Sequence, residues 1–168
     1  DMNFLRSLPK REIVCGYGEI LKHSLISNKK FFLFLNKNAF KILNLKSPFI
    51  EKSIYKSCII KKKIVEKDEK EKNLRKTLNF GHTFAHAYEA TLNYSKKLNH
   101  GEAVLLGIIS ASKFSFNNNL LNKKDFNLIK NHLFQFKLNK RLKKILSNKN
   151  LMNVISFMKK DKKNSSKK

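Results

Sequence analysis

Only five glycines and two prolines punctuate the 168 residues, and no segment alternates apolar and polar positions long enough to build a strand. Apolar residues recur instead at helical spacing. So few breakers favour long helices over a turn-rich β architecture. The fold class expected is therefore all-α, a multi-helix domain. With 41% hydrophobic residues, a chain of this length can bury one genuine core. The expected division is a helical domain over residues 1–160 and a basic tail over 161–168.

Pro9 suits a first helical turn, and a helix is expected from there to about Ile26. Gly16 and Gly18 fall inside it, each at a cost of about 1 kcal/mol against alanine. Glycines in such a place often permit close approach of a backbone or ligand. Asn28 to Leu45 reads as a second helix. Ser47-Pro48 reads as N-cap and first helical residue of a third, running to about Val65. The stretch EKDEKEKN reads as a turn or helix start. One long helix is expected from Leu74 to Leu92, then a polar loop from Asn93 to Asn99. A strongly apolar helix, Gly101 to Phe116, should be central. After a loop at Asn117 to Lys124, shorter helices are expected at Asp125 to Phe136, Lys140 to Leu146 and Leu151 to Lys159.

The net charge of +25 comes from 37 Lys+Arg against 12 Asp+Glu. Such an excess raises nucleic-acid binding as a function class. Lysine supplies nearly all of it, however, and the lysines are scattered rather than gathered in a patch. With abundant asparagine, isoleucine and phenylalanine, this matches the codon bias of an AT-rich genome, and a nucleic-acid partner is not expected. Cys15 and Cys58 fit no CxxC pattern, so a reduced, cytoplasmic setting is expected. The run FFLFL is far too short to span a membrane, and the first residues show no signal-peptide pattern.

Chemistry concentrates in Arg75 to Ala90, RKTLNFGHTFAHAYEA. His82 and His86 lie four apart, and Arg75 and Asn79 extend the pattern backwards. On one helix a guanidinium, an amide and two imidazoles would share a strip. A third histidine, His100, follows a loop and opens a helix, a position that can bend back toward His82. Catalytic zinc commonly takes two histidines and a carboxylate, with one position left open. The candidate carboxylates are Glu19, Glu71, Glu89 and Glu102. Spacing alone does not choose among them, nor say which two histidines ligate. His23 and His132 read as structural or surface residues, and Phe80, Phe84 and Tyr88 as helix packing.

The run LNFGHTFAHAYEA, followed by HGEAV and preceded by GYGEILKHSLI, resembles the carboxy-terminal domain of 3-dehydroquinate synthase. DMNFLRSLPKRE resembles the segment leading into that domain, KKKIVEKDEKEKNLRKTLNFGH keeps its order and spacing, and MKKDKK resembles a late motif. The resemblance spans almost the whole chain. It implies a zinc- and NAD-dependent lyase of the shikimate pathway, converting 3-deoxy-D-arabino-heptulosonate 7-phosphate into 3-dehydroquinate and phosphate. The implied course is transient oxidation of a hydroxyl by NAD, phosphate elimination, reduction, ring opening and aldol closure.

The same resemblance implies that Glu19, His82 and His100 hold zinc. His86 would be an acid/base group rather than a ligand, with Glu71 an acidic group near it. Lys22, Lys61, Arg75, Asn79 and Lys162 match positions that contact substrate. Arginine suits bidentate recognition of carboxylate or phosphate. Related readings are another sugar-phosphate cyclase or a metal-dependent polyol dehydrogenase, and a different class is a non-catalytic basic nucleic-acid-binding module.

There are departures from the family pattern. No GGG or GxGxxG phosphate cradle occurs, so NAD binding is expected from a domain ahead of Asp1, in the same chain or a partner. The 168 residues are expected to be inactive alone, and the complete enzyme to be a homodimer. Gly18 stands where alanine is common, and Ala85 where glycine is common.

Overall fold

The computed structural model describes residues 2–138, 143 and 145–161, and these contain helices and no strand. The chain divides into two compact units, Asp1–Leu78 and Asn79–Lys168.

In the first unit a 3-10 turn, Met2–Ser7, precedes α1 (Lys10–Ser27), α2 (Lys29–Leu43) and α3 (Phe49–Lys67), which pack on one another. A single residue joins α1 to α2. Asn28 closes α1 by donating its backbone N–H to the Ser24 carbonyl at 2.9 Å, and its side chain caps α2 by accepting from Phe31 N at 3.0 Å. Phe31, Phe32, Leu35, Ala39 and Ile42 are buried along α2, the spacing of one helical face, while its lysines stay outside. Tyr17 and Leu21 of α1 and Ile50 and Ile64 of α3 complete this core.

Ser47 does not cap α3. The cap position belongs to Pro48, joined to Ser47 by a cis peptide, and no side-chain cap bond forms there. The helix therefore begins at Phe49.

The second unit is built on α4 (His82–Thr91), α5 (His100–Asn117), α6 (Lys123–Phe134) and α7 (Asn148–Lys160). Helix α5 packs on both α4 and α6, and α7 packs on α4. Ala103, Val104, Leu105, Leu106 and Ile108 are all buried, so α5 is apolar on nearly every side, as its sequence predicts for a central helix. A capping box fixes where it starts: Asn99 accepts from Glu102 N at 3.0 Å, and the Glu102 carboxylate accepts from Asn99 N at 3.1 Å. Asn122 caps α6 by accepting from Asp125 N at 2.9 Å. Part of the expected helix from Lys140 to Leu146 lies outside the described residues; residues 143 and 145 are helical.

The expected single helix from Leu74 to Leu92 is broken. Leu74–Asn79 is a 3-10 turn, and Gly81, at φ 80°, starts α4 afresh. Two local interactions account for the break. The Asp68 carboxylate takes the backbone N–H groups of Lys72, Asn73 and Arg75 at 2.7–2.9 Å, folding this segment into a loop. Gly81 adopts a left-handed conformation that glycine enters at no steric cost. Arg75 and Asn79 therefore do not share a helical face with His82 and His86.

Candidate metal centre

The site in the second unit depends on two glycines. Where α4 begins, Gly81 meets Gly107 of α5 so closely that a Cβ on Gly107 would clash with the Gly81 carbonyl oxygen and lie 3.1 Å from Ala85 N. This contact holds the start of α4 against the beginning of the third turn of α5. His82 and His100 are the first residues of the two helices, and they face each other at 5.6 Å between ring centroids. His86, one turn into α4, lies 5.5 Å from His82 and 6.3 Å from His100.

Each of the three rings turns Nδ1 toward an oxygen. His82 Nδ1 is 3.4 Å from the Phe80 carbonyl. His100 Nδ1 is 3.2 and 3.3 Å from the two carboxylate oxygens of Glu89. His86 Nδ1 is 3.6 Å from Asp161 Oδ1, too long for a hydrogen bond. His82 is buried, while His86 and His100 are more open. Two imidazoles bound to one tetrahedral ion at about 2 Å put their ring centres about 5 Å apart, so these spacings suit a metal. His82 belongs to both of the shorter pairs, and spacing alone does not single out its partner.

In the first unit, Glu19 and Lys22 are one turn apart on α1 and paired at 2.6 Å. Lys22 is buried, which separates this contact from an ordinary surface i,i+3 pair. Glu19 and Lys61 line the same cleft of about 340 Å³, together with Gly16, His23 and Ser57. Gly16 meets nothing within 4 Å at its Cβ position, so no packing partner demands glycine there. His23 is buried, with Nδ1 2.7 Å from Ser57 Oγ. Glu71 lies in the loop after α3 with a left-handed backbone, φ 53°. Arg75 donates from Nη1 to the Glu69 carbonyl at 2.7 Å, so its guanidinium is tied to the same loop. Asn79 ends the 3-10 turn and is half-buried, and Lys162 lies outside the described residues.

Of the four candidate carboxylates, Glu102 is engaged in capping and Glu89 in holding His100. Sequence reasoning left Gly107 and Asp161 unremarked and gave Glu89 no orienting role. A lone glycine within the apolar run LLGII was the available signal for the first. Tyr88 packs as expected, buried with its hydroxyl 2.7 Å from Ser110 Oγ; burial raises its pKa above the usual phenol range. His132 is buried, and desolvation lowers its pKa to about 4. No helix among the described residues is long and apolar enough to cross a membrane.

Comparison with known proteins places the chain in a family. The family described as 3-dehydroquinate synthase C-terminal matches residues 16–164. A 3-dehydroquinate synthase of Pelagibacter ubique is 66% identical over 168 residues, covering 100% of this chain and 46% of the relative. One of Thermodesulfovibrio yellowstonii is 42% identical over 138 residues, 82% of this chain and 38% of the relative. One of Buchnera aphidicola is 47% identical over 116 residues, 69% of this chain and 31% of the relative. The chain thus spans less than half the length of these curated relatives. On the family match and these identities, the chain belongs to the 3-dehydroquinate synthase C-terminal family.

Proposed function

We propose that these residues form the metal- and substrate-binding part of a 3-dehydroquinate synthase, a lyase converting 3-deoxy-D-arabino-heptulosonate 7-phosphate into 3-dehydroquinate and phosphate. The observation that carries the reading is the cluster of His82, His86 and His100, with centroids 5.5–6.3 Å apart, in a chain of this family. Two imidazoles and a carboxylate are a donor set suited to catalytic zinc, and Glu19, His82 and His100 would supply it. When bound, zinc would grip the substrate hydroxyls, acidify the one being oxidised and polarise the resulting ketone. NAD would be held by parts of the synthase other than these 168 residues, and would accept and return the hydride.

The chain's own residues divide the remaining work. Lys22, buried against Glu19, would hold that carboxylate in place while offering positive charge to an anionic substrate. Lys61, on the cleft that Glu19 also lines, and Arg75 would contact carboxylate or phosphate, with Asn79 on hydroxyls. Lys162 would add a further cation. His86 would exchange a proton at Nε2, with Nδ1 turned to Asp161, and Glu71 would act near it as an acidic group. The free cysteines Cys15 and Cys58 suit a reducing cytoplasm, and a homodimer is the assembly proposed for the complete enzyme.

The test is phosphate release and dehydroquinate formation with NAD and zinc present. The chain should turn over the heptulosonate phosphate when joined to the NAD-binding part of a synthase, and not alone. H86A should remove activity from the joined enzyme while its zinc remains. Turnover by these 168 residues alone would contradict the division of labour, and an inactive joined enzyme with zinc bound would contradict the substrate reading.

A further inference from the structure

His100 is the most open of the three histidines, with half of its side chain exposed at the first residue of α5. An imidazole so placed can rotate about two side-chain bonds unless something holds it. Glu89, in the last turn of α4, holds it. Its side chain is only 12% exposed, and both carboxylate oxygens approach the same ring nitrogen, at 3.2 and 3.3 Å. An ionised carboxylate only accepts hydrogen bonds, so Nδ1 carries the hydrogen. The ring's lone pair is then on Nε2.

The backbone of Glu89 braces the same connection from its other end. Its carbonyl accepts from Leu92 N at 3.2 Å and Tyr94 N at 2.8 Å. Asn93 and Tyr94 both sit in the left-handed region, at φ 54° and 51°, which is uncommon for a residue as bulky as tyrosine. Glu89 therefore ties down the start of the α4–α5 link through its carbonyl and the end through its carboxylate.

We propose that Glu89 is a positioning residue for the metal centre: it fixes His100 as the Nδ1–H tautomer and commits Nε2 to a divalent cation. The proposal rests on the metal-binding reading above. It also assigns Glu89 away from the ligand set, because its two oxygens are directed at His100. Carboxylates that orient metal-binding histidines typically affect metal affinity by about 10–100-fold.

The experiment uses the full 168-residue chain, with Zn²⁺ affinity measured by chelator competition and the His100 tautomer by nitrogen-resolved NMR. E89A should bind Zn²⁺ about 10–100-fold more weakly. E89Q, which keeps an acceptor but loses the charge, should fall between E89A and the unaltered chain. In the unaltered chain His100 should carry its hydrogen on Nδ1. H100A losing Zn²⁺ while E89A and E89Q retain full affinity overturns the positioning role and leaves the metal reading standing. H100A binding Zn²⁺ as well as the unaltered chain overturns both. Should the Glu89 variants not fold, an Nε2–H tautomer in the unaltered chain overturns the proposal by itself.

Discussion

Gly107 lies against the carbonyl of Gly81, and that contact lets α4 and α5 approach closely enough for His82 and His100 to face each other. A methyl group at 107 must displace the backbone at the start of α4, since it would meet the Gly81 carbonyl, with Gly81 C at 3.0 Å and Ala85 N at 3.1 Å. G107A should destabilise the chain by about 1–3 kcal/mol or more, the range for overpacked cores, and should weaken metal binding as the helices part. Gly16 is the control. It is exposed inside α1 with nothing within 4 Å, so G16A should stabilise by up to about 1 kcal/mol. Thermal melts of the two variants should therefore shift in opposite directions.

His132 makes the second unit sensitive to mild acid. It is buried, and Gln135 Nε2 donates to its Nδ1 at 3.2 Å, so the neutral ring is the one accommodated. Its folded pKa of about 4 lies below the ordinary 6.5. The unfolded chain therefore takes up the proton first, and stability falls as the pH drops from about 6.5 toward 4, by at most about 3 kcal/mol. Below that window this group adds no further loss. In H132N the slope between those pH values should flatten, whatever the substitution costs at neutral pH. An unchanged slope in denaturant titrations would remove His132 as the cause.

Asp68 works in the same sense but at lower pH, on the loop that carries Glu71 and Arg75. Backbone hydrogen bonds from Arg75, Asn73 and Lys72 hold its pKa below the usual carboxylate value. A depressed carboxylate pKa contributes stability that is present above the unfolded pKa and lost as the pH falls through the folded one. Acidification below about 4 should thus loosen residues 69–75. D68A should raise hydrogen exchange at the amides of Lys72, Asn73 and Arg75 at neutral pH, with α1, α2 and α3 unaffected. Protection that survives D68A would show that the loop is held by other contacts.

Much of this was legible in the sequence where the signal is periodic. The buried face of α2, the apolar α5 and the position of His100 at a helix start all follow from apolar spacing and from the polar loop that precedes His100. The long helix over Leu74 to Leu92 was misread because periodicity does not register a carboxylate six residues upstream collecting backbone N–H groups. Nor does it register the left-handed turn at Gly81. Glu89 and Asp161 were not assigned orienting roles for a related reason. Their partners are 11 residues away for Glu89 and in a different helix for Asp161, so the contacts exist only once the helices pack. Three imidazoles could be gathered from sequence, but not the oxygens that orient them.

The central claim is that His82 and His100 bind the metal with Glu19, while His86 stays free to exchange protons. X-ray absorption at the zinc edge of the reconstituted chain tests it most directly. The account predicts one zinc per chain with two imidazole nitrogens and carboxylate or water oxygens, unchanged in H86A and lost in H82A and H100A. A spectrum with three imidazoles, reduced to two in H86A, would contradict it.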